Sequence, residues 1–587
     1  MKWLALFAAV PLIAWLPLPD FWIFQLNYIG LYALTCLGLV LLTGVSGLTS
    51  FGQAAFVGMG AYTTAWLTLN LGMSPWMTLF VGLALTGVSA LVVGLITLRM
   101  SGHYLPLATI SWGLALYYLM GNLDALGKYD GLLGLKSLSI PGPEGDFDLG
   151  QGRAFFVLTW LILMVAAMGF THLLDSRAGR AIRSLKNGTQ MAEAMGINTF
   201  RYKVTVFILA ALLASVAGWL MAHFQRTVNP SAFGLKMGIE YLFMAVVGGV
   251  GYVWGAIVGA GLIKLMDDQL QVLLPRLIGT SGSYEVIVFG IALVLVLKYL
   301  PDGLWSLVAR HLPRRNRTED WTHAEALEER NKPCPGEVVL DVQNIRKQFG
   351  GLVAVNDICF QIKAGQIVGL IGPNGAGKST TFNLITGVLP LTSGTVTFQD
   401  ETISGLPSRD IARRGMARTF QHVKMIPDMT VLENVAMGAY SRSHRGVLSG
   451  MLRTNVAEER RLFKEAQHQL ERIGIGHTLH ELAGNLAMGQ QRLMEIARAL
   501  CADPALLLLD EPAAGLRHKE KLALADVLRQ LRGEGVSILL VEHDMDLVMK
   551  VCDHLVVMEF GTLLTQGTPE EIQQSPAVRA AYLGTEH

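Results

Sequence analysis

This sequence of 587 residues contains few cysteines and has almost no net charge. Its five cysteines show no paired spacing, so neither a disulfide framework nor a cysteine-rich metal site is expected. The formal net charge is +1, whereas proteins that bind nucleic acid usually carry a strongly basic surface. Nucleic acid is therefore not expected as a partner. The cysteines are Cys36, Cys334, Cys359, Cys501 and Cys552.

Charged residues of either sign are especially sparse in residues 1–300, where long apolar runs follow one another. A membrane core of about 30 Å needs about 20 mostly apolar residues per helix. The first run is interpreted as an uncleaved span because no small-x-small cleavage site follows it. The predicted spans lie near 3–17, 28–43, 54–70, 75–98, 104–123, 155–172, 204–222 and 284–300, with a Gly-rich segment at 238–266.

The distribution of charge between these spans predicts their orientation. Residues 175–203 carry six basic and two acidic side chains, whereas residues 124–154 carry five acidic and three basic ones. Since basic loops stay in the cytoplasm, 175–203 is expected inside, together with Arg310 and the basic residues 314, 315 and 317. A C-terminal domain in the cytoplasm then requires 238–266 to double back, with a break at Gly248–Gly251. Close helix packing is the alternative reason for these glycines.

Two further segments of the first half have competing interpretations. Residues 44–60 combine glycines with Ser46, Thr49, Ser50 and Gln53, which can line a solute path or form a packed turn. Residues 189–196 predict a short helix that docks on a cytoplasmic partner. The alternative is that the basic loop around them only sets the topology.

The second half of the chain has the composition of a soluble domain. Residues 308–336 are rich in charge and proline and predict a solvated tether. The apolar strand QIVGLIG then leads into the pattern G-x-x-x-x-G-K-[ST], whose backbone N–H groups and lysine bind phosphates. Its predicted nucleotide-binding residues are Gly372, Pro373, Asn374, Gly375, Ala376, Gly377, Lys378, Ser379 and Thr380.

A second apolar strand, 506–509, ends at a pair of carboxylates. In P-loop enzymes an aspartate at this place lies beside Mg²⁺, and a neighbouring carboxylate positions the attacking water. Asp510 is therefore the predicted metal-side residue, Glu511 the predicted base and Ser379 a predicted Mg²⁺ ligand.

These residues resemble the ABC ATPase family. Gln421 in RTFQH matches the family's Q-loop, which contacts the metal and the membrane domain, His543 in LLVEHD matches its switch histidine, and Phe349 matches the aromatic that stacks on adenine. The signature motif matches Leu486, Ala487, Met488, Gly489 and Gln490. Ala487 stands where many members have serine, and Met488 and Arg517 also depart from the family's pattern. These departures bear on the expected rate of ATP hydrolysis and not on the existence of the site.

Longer segments resemble the branched-chain amino acid importers within that family. LLLLDEPAAGL and NLAMGQQRLMEIARAL are similar to their ATPase, and GLTSFGQAAFVGMGAYTTA and SRAGRAIRSLKNGTQMAEAMGIN to their permease. The resemblance implies ATP and Mg²⁺ as cofactors, and an extracytoplasmic solute-binding protein as a partner. It also implies a second permease and a second ATPase, identical or different, because ATP is sandwiched between the P-loop of one ATPase and the signature of another.

The expected architecture is a polytopic α-helical membrane domain at 1–307, a cytoplasmic linker at 308–336 and an α/β P-loop ATPase domain at 337–587. The expected function is ATP-driven import of branched-chain amino acids through the cytoplasmic (inner) membrane by a half-transporter in the lipid bilayer. Urea, short amides or aromatic acids are alternative solutes. Export of an apolar compound is a second hypothesis, and a regulatory ATPase without transport is a third.

Overall fold

The computed structural model describes residues 2–100, 104–140, 147–150, 152–278, 285–311 and 321–583. They belong to two units that do not follow the order of the chain. The helical unit comprises Met1–Asp175, Phe200–Arg315 and Val447–Arg453, and the sheet unit comprises Ser176–Thr199, Asn316–Gly446 and Thr454–His587. The basic residues 314, 315 and 317 lie outside the described residues. The boundaries expected at 307 and 337 stay predictions.

The helices of the first part of the chain coincide with the apolar runs. Each of the eight predicted spans corresponds to one helix. Helix α2 begins eight residues before the predicted start at 28, and the other ends differ by at most five residues. The helices are α1 (Lys2–Trp15), α2 (Asp20–Leu39, continued by a π-helical turn at Val40–Val45), α3 (Gln53–Leu71), α4 (Pro75–Thr97), α5 (Tyr104–Asn122), α6 (Gly152–Leu174), α7 (Arg177–Asn187), α8 (Thr189–Glu193), α9 (Thr199–Gln225), α10 (Leu235–Gly248), α11 (Val253–Ile278), α12 (Glu285–Tyr299) and α13 (Leu304–His311).

Length and apolar composition mark several of these helices as membrane spans. Among the described residues, five helical stretches are long and apolar enough to cross a membrane: Asp20–Val45, Pro75–Thr97, Gly152–Leu174, Thr199–Gln225 and Ile287–His311. The bent pair α10 and α11 passes the same test when taken together. The helical unit therefore has the composition and element lengths of a polytopic membrane domain.

The Gly-rich segment 238–266 is broken where the sequence predicts. Helices α10 and α11 meet at a bend of 118° across residues 249–252, so the chain turns back instead of continuing as one straight helix. Glycine also permits the close approach of the two helices. A Cβ at Gly248 would lie 1.9 Å from the Gly255 carbonyl oxygen, and one at Gly259 would lie 1.9 Å from the Met244 oxygen. The break and the packing interpretation therefore both hold.

Gly259→Ala is expected to destabilise the helical unit, because its methyl group would overlap the Met244 carbonyl and force α10 and α11 apart. Gly290→Ala in α12 is the matched control, since a Cβ there meets no atom within 4 Å. Thermal unfolding of the full chain in lipid nanodiscs measures the difference. A midpoint for Gly259→Ala as high as that of Gly290→Ala would contradict the packing argument.

Residues 44–60 form a packed break between α2 and α3. A Cβ at Gly44 would lie 1.4 Å from the Val250 oxygen, and one at Gly60 would lie 2.2 Å from the Ser215 oxygen, so both glycines are explained by packing. Ser46 and Ser50 are buried, and the Ser46 hydroxyl donates to the Leu42 oxygen at 2.6 Å. The packed-turn interpretation is therefore favoured for the glycines of this segment.

Two short strand pairs, β1 (Leu132–Leu133) with β4 (Thr227–Val228) and β2 (Ser139–Ile140) with β3 (Phe147–Asp148), lie in the helical unit. The strands of the sheet unit are β5 (Val338–Phe349), β6 (Leu352–Lys363), β7 (Ile367–Ile371), β8 (Ser393–Phe398), β9 (Glu401–Thr402), β10 (Met416–Arg418), β11 (Leu506–Asp510), β12 (Ser537–Val541), β13 (His554–Glu559) and β14 (Thr562–Gly567). Six of them form a sheet in the order β10-β11-β12-β7-β13-β14, which is parallel except for β14. The other four form an antiparallel sheet in the order β6-β5-β8-β9.

The unbroken apolar run of β11 reflects burial on both faces of the larger sheet. Leu507 and Leu509 belong to one buried cluster, and Leu506 and Leu508 belong to another. The C-terminal helices are α14 (Lys378–Ile385), α15 (Ser408–Arg413), α16 (Val431–Ala436), α17 (Val447–Met451), α18 (Val456–Arg472), α19 (Met488–Leu500), α20 (His518–Gly533), α21 (Met545–Val551), α22 (Pro569–Gln574) and α23 (Pro576–Leu583). Of these, α17 packs on α6 within the helical unit.

The described part of the expected tether, residues 321–336, is packed onto the sheet unit. Trp321 is 7% exposed, and its indole N–H donates to Gln467 Oε1 at 2.6 Å. Leu327 is buried in the same cluster, and the Arg330 backbone N–H donates to Asp503 Oδ2 at 2.5 Å. Two apolar side chains therefore anchor this stretch in a hydrophobic cluster. Most of its other residues are exposed, as expected for a solvated tether.

Candidate nucleotide-binding site

The P-loop lies where a buried strand ends and a helix begins. Strand β7 is fully buried, and α14 starts at Lys378. Gly375 and Gly377 have φ values of 83° and 93°, in the left-handed region that favours glycine. At Gly372 a Cβ would lie 2.1 Å from the Met558 oxygen. These glycines leave room for a loop whose N–H groups, with the start of α14, can bind phosphate.

A cleft of about 520 Å³ opens beside this loop. It is lined by residues 352–354 and 374–380, by Gln421 and Glu511, and by Phe560 and Gly561. Lys378 is buried, and its Nζ donates to the oxygens of Gly372 at 2.7 Å and Pro373 at 2.9 Å. Desolvation lowers the pKa of Lys378, and the charges of Glu511 and Asp510 oppose that shift. The cleft therefore brings the loop amides and the lysine to one place.

Asp510 ends strand β11 and directly precedes Glu511, which lines the cleft. Burial raises its pKa to about 6, the Arg418 guanidinium opposes the shift, and the Glu511 charge adds to it. Its Oδ1 is buried and accepts no hydrogen bond from the described residues. A buried carboxylate oxygen without a donor suits a hard cation such as Mg²⁺, to which a hydroxyl and an amide lining the cleft could add oxygen ligands. Ser379 and Gln421 supply that hydroxyl and amide.

Glu511 is held in an unusual backbone conformation that points its side chain into the cleft. Its φ is 47°, and its N–H donates to the Val541 oxygen at 2.8 Å. One carboxylate oxygen, Oε2, accepts from Gln421 Nε2 at 3.1 Å. The two residues predicted as base and Q-loop glutamine are thus in direct contact.

A buried carboxylate that sequence reasoning missed stabilises this turn. Glu542 is fully buried and accepts from the backbone N–H groups of Ala513 at 2.7 Å and His543 at 3.0 Å. It thereby joins the turns that follow β11 and β12. A charged residue at the end of an apolar strand is the signal that could have identified it.

Two predicted nucleotide contacts lie outside the lining of the cleft. The His543 side chain is 61% exposed and follows β12, the neighbour of β11. Phe349 ends β5, and Lys347 Nζ lies 5.0 Å from the centre of its ring. The aromatic side chain that does line the cleft is Phe560, which is 87% exposed and was not predicted. The roles of His543 and Phe349 stay predictions.

The signature residues 486–490 surround the start of α19 and do not line the P-loop cleft. Met488 is exposed, and Gln490 Oε1 accepts from the Ala487 N–H at 3.3 Å. Further along α19, the buried Arg492 donates to the carbonyl oxygens of Phe420, at 2.8 Å, and Gln421. The signature helix is therefore attached to the Q-loop of the same chain, a link that sequence reasoning missed.

The basic segment 176–199 packs within the sheet unit through two arginines of α7. The Arg177 guanidinium lies 3.8 Å from the centre of the Tyr440 ring. Arg180 donates to Glu459 Oε2 at 2.7 Å, with side chains only 3% and 10% exposed. Glu459 also accepts from the backbone N–H of Arg177 and from Asn455 Nδ2. We call this set of contacts the α7 surface.

A second contact of the same segment lies near α8. Glu193 forms an ion pair with Arg409 at 3.5 Å, and the Gly196 oxygen accepts from Arg413 Nε at 3.1 Å. Helix α8 at Thr189–Glu193 agrees with the predicted short helix at 189–196. The segment is thus held at both ends by the unit that contains the P-loop.

The P-loop follows the carboxyl end of strand β7 in a mainly parallel sheet, and long apolar helices precede it in the chain. Together these features define a membrane-bound P-loop ATPase. Family models agree: residues 22–297 match the permease component of the branched-chain amino acid transport system, residues 355–514 the ABC transporter, and residues 562–587 the branched-chain amino acid ATP-binding cassette transporter.

Curated relatives match the C-terminal half. The high-affinity branched-chain amino acid transport ATP-binding protein LivG of Salmonella typhimurium is 45% identical over 255 residues, which cover 42% of this chain and 98% of LivG. Its counterpart BraF of Pseudomonas aeruginosa is 43% identical over 249 residues, with the same coverage. A crystal structure of a nucleotide-free ATP-binding cassette from an ABC transporter is 31% identical at a TM-score of 0.38, covering 42% of this chain and 99% of that one.

The chain belongs to the branched-chain amino acid ABC transporter family and carries the permease and the ATPase in one polypeptide. The predicted fold class and resemblance are confirmed. It is a membrane protein with a cytoplasmic ATP-binding domain that hydrolyses ATP to drive transport.

Proposed function

We propose that this chain is one half of an importer that moves branched-chain amino acids across the inner membrane. The single observation that carries the proposal is the match of residues 22–297 to the permease of that transport system. The relatives matched by the ATPase half, LivG and BraF, are named for the same solutes. Urea, short amides and aromatic acids are the alternative solutes, and export is a less favoured direction.

In the proposed site, the amides of residues 374–378 and the Lys378 ammonium bind the phosphates of ATP. Mg²⁺ would be held by Ser379, Gln421 and Asp510, and it would neutralise phosphate charge there. Asp510 supports this role because its Oδ1 is buried without a donor. Glu511, which lines the cleft, polarises the attacking water, and His543 contacts the γ-phosphate once the site closes.

A closed site requires a second ATPase. The signature residues 486–490 of this chain do not line its own P-loop cleft, so they serve the P-loop of a partner. We infer that the chain pairs with another permease and ATPase, identical or different, and receives solute from an extracytoplasmic binding protein. Arg492 links the signature helix to the Q-loop carbonyls, so closure of the site moves both together.

The proposed solute is tested by uptake into liposomes that contain the complete complex, its binding protein and internal ATP. Labelled leucine is expected to accumulate to a level at least about tenfold above that in vesicles with Lys378→Ala. This substitution removes the phosphate-binding cation and abolishes ATP-driven transport. Labelled urea and benzoate are expected to stay at the level of those vesicles. Accumulation of urea or benzoate without leucine would replace the proposed solute, and ATP-dependent efflux would replace the direction.

A further inference from the structure

Two apolar helices of the helical unit carry charged side chains, in the first half of α10 and in the middle of α11. Lys236 and Glu240 lie in α10, and Lys264, Asp267 and Asp268 lie in α11. Ionisable groups within membrane helices are costly, and they usually mark a solute or ion path. Five residues around Lys264 form the Lys264 cluster: Tyr28, Tyr32, Gln225, Lys264 and Asp268.

The predicted orientation of the spans places the cluster toward the outer side of the membrane. Lys264 lies about 16 Å along the axis from Val253, at a rise of about 1.5 Å per residue, in a helix of 26 residues. Gln225 ends α9, whose opposite end follows the cytoplasmic segment 176–199 directly in the chain. Solute from outside therefore reaches this level first.

The cluster holds both signs of charge and two aromatic rings within contact distance. Lys264 Nζ lies 2.5 Å from Asp268 Oδ1 and 5.3 Å from the centre of the Tyr28 ring. Gln225 Nε2 donates to the Tyr28 hydroxyl at 3.2 Å. The centre of the Tyr32 ring lies 5.9 Å from that of Tyr28.

Hydrogen-bonding capacity is left over on both charged partners. The other oxygen of the aspartate, Asp268 Oδ2, is buried and accepts no hydrogen bond from the described residues. An ammonium has three N–H donors and a primary amide has two, so Lys264 and Gln225 can each donate again. A ligand ammonium can therefore bind at Asp268 Oδ2, and a ligand carboxylate can bind at Lys264 and Gln225.

We propose that the Lys264 cluster binds the zwitterionic head group of an α-amino acid on its way through the helical unit. The ligand ammonium pairs with Asp268 and lies against the tyrosine rings, as cations do, and its carboxylate pairs with Lys264. A neutral amide carries no charge, so it could take the place of neither Lys264 nor Asp268 in their ion pair. The inference rests on the proposed import of amino acids and names the residues that would select them.

The test measures ligand binding to the full chain in lipid nanodiscs by isothermal titration calorimetry. L-leucine is expected to bind. Isocaproate, which lacks the amino group, and isopentylamine, which lacks the carboxylate, are each expected to bind at least about tenfold more weakly, because one charged hydrogen bond is lost. Equal binding of either analogue would overturn the zwitterion site, and this comparison needs no variant to fold.

Variants then locate the site. Asp268→Asn and Lys264→Gln are each expected to weaken leucine binding at least about tenfold, whereas Arg276→Gln, an exposed position later in α11, leaves it unchanged. If the complex imports leucine and both cluster variants bind leucine like the wild type, the inference fails and the proposed function stands. If the complex imports urea or benzoate instead and leucine does not bind, both fail.

Discussion

Glu511→Gln is expected to lower ATP turnover by about 10²- to 10⁴-fold while ATP still binds. The amide keeps the shape of the side chain and can still accept the hydrogen bond from Gln421, so the cleft is preserved. It cannot take up a proton from water, which is the role proposed for the carboxylate. Phosphate release by the full chain in nanodiscs measures turnover, and binding of a fluorescent ATP analogue measures occupancy.

The matched control for this substitution is Glu401→Gln, which neutralises an exposed glutamate paired with Arg414 at 2.8 Å. A surface ion pair of this kind contributes about 0–1 kcal/mol, so turnover should stay at the wild-type level. Turnover of Glu511→Gln within about twofold of the control would show that Glu511 is not the base. The carboxylate of Asp510 would then be the next candidate.

The parts of this molecule that were predictable from sequence are those that local backbone geometry determines. The helices match the apolar runs because membrane length and backbone hydrogen bonding dictate both. The P-loop is recognisable because glycines at 375 and 377 permit positive φ, which few other residues adopt. The roles of Gln421 and Glu511 could be proposed from their motifs, whereas their direct contact was not predicted, because the two motifs are distant in sequence.

The parts that were missed depend on contacts between distant segments. Trp321 lies among charged residues in the sequence, and no periodic pattern indicates that it joins the cluster of α18. In the sequence LLVEHD, nothing distinguishes Glu542 from an ordinary surface acid. In the structure it is fully buried and accepts a hydrogen bond from the turn that follows β11. Such roles come from tertiary partners that spacing alone does not identify.

The division of the chain into units also depends on contacts between segments that are distant in sequence. Residues 176–199 lie between two apolar helices in the chain, yet they pack with the P-loop unit, whereas 447–453 lie within the ATPase sequence and pack on α6. Each half therefore holds a segment of the other.

Arg180→Gln is expected to reduce leucine uptake by the complete complex at least about tenfold, because it leaves the buried Glu459 without its cation. Breaking a buried ion pair from one side costs about 3–5 kcal/mol, and this pair is only 3% and 10% exposed. ATP hydrolysis by the sheet unit should continue, since no residue of the α7 surface lines the nucleotide cleft. Uptake and phosphate release, measured on the same vesicles, give the ratio of solute moved to ATP consumed.

Lys186→Gln distinguishes the two interpretations of this basic segment, namely that it docks on the ATPase or that its charges only set the membrane topology. It removes one positive charge from the same helix, at an exposed position, so it affects the charge balance of the loop as much as Arg180→Gln does. If the charges served only to orient the membrane helices, both variants would change uptake equally. If α7 couples hydrolysis to transport through Glu459, only Arg180→Gln lowers the solute-to-ATP ratio, and the exchanged pair Arg180→Glu with Glu459→Arg recovers part of it.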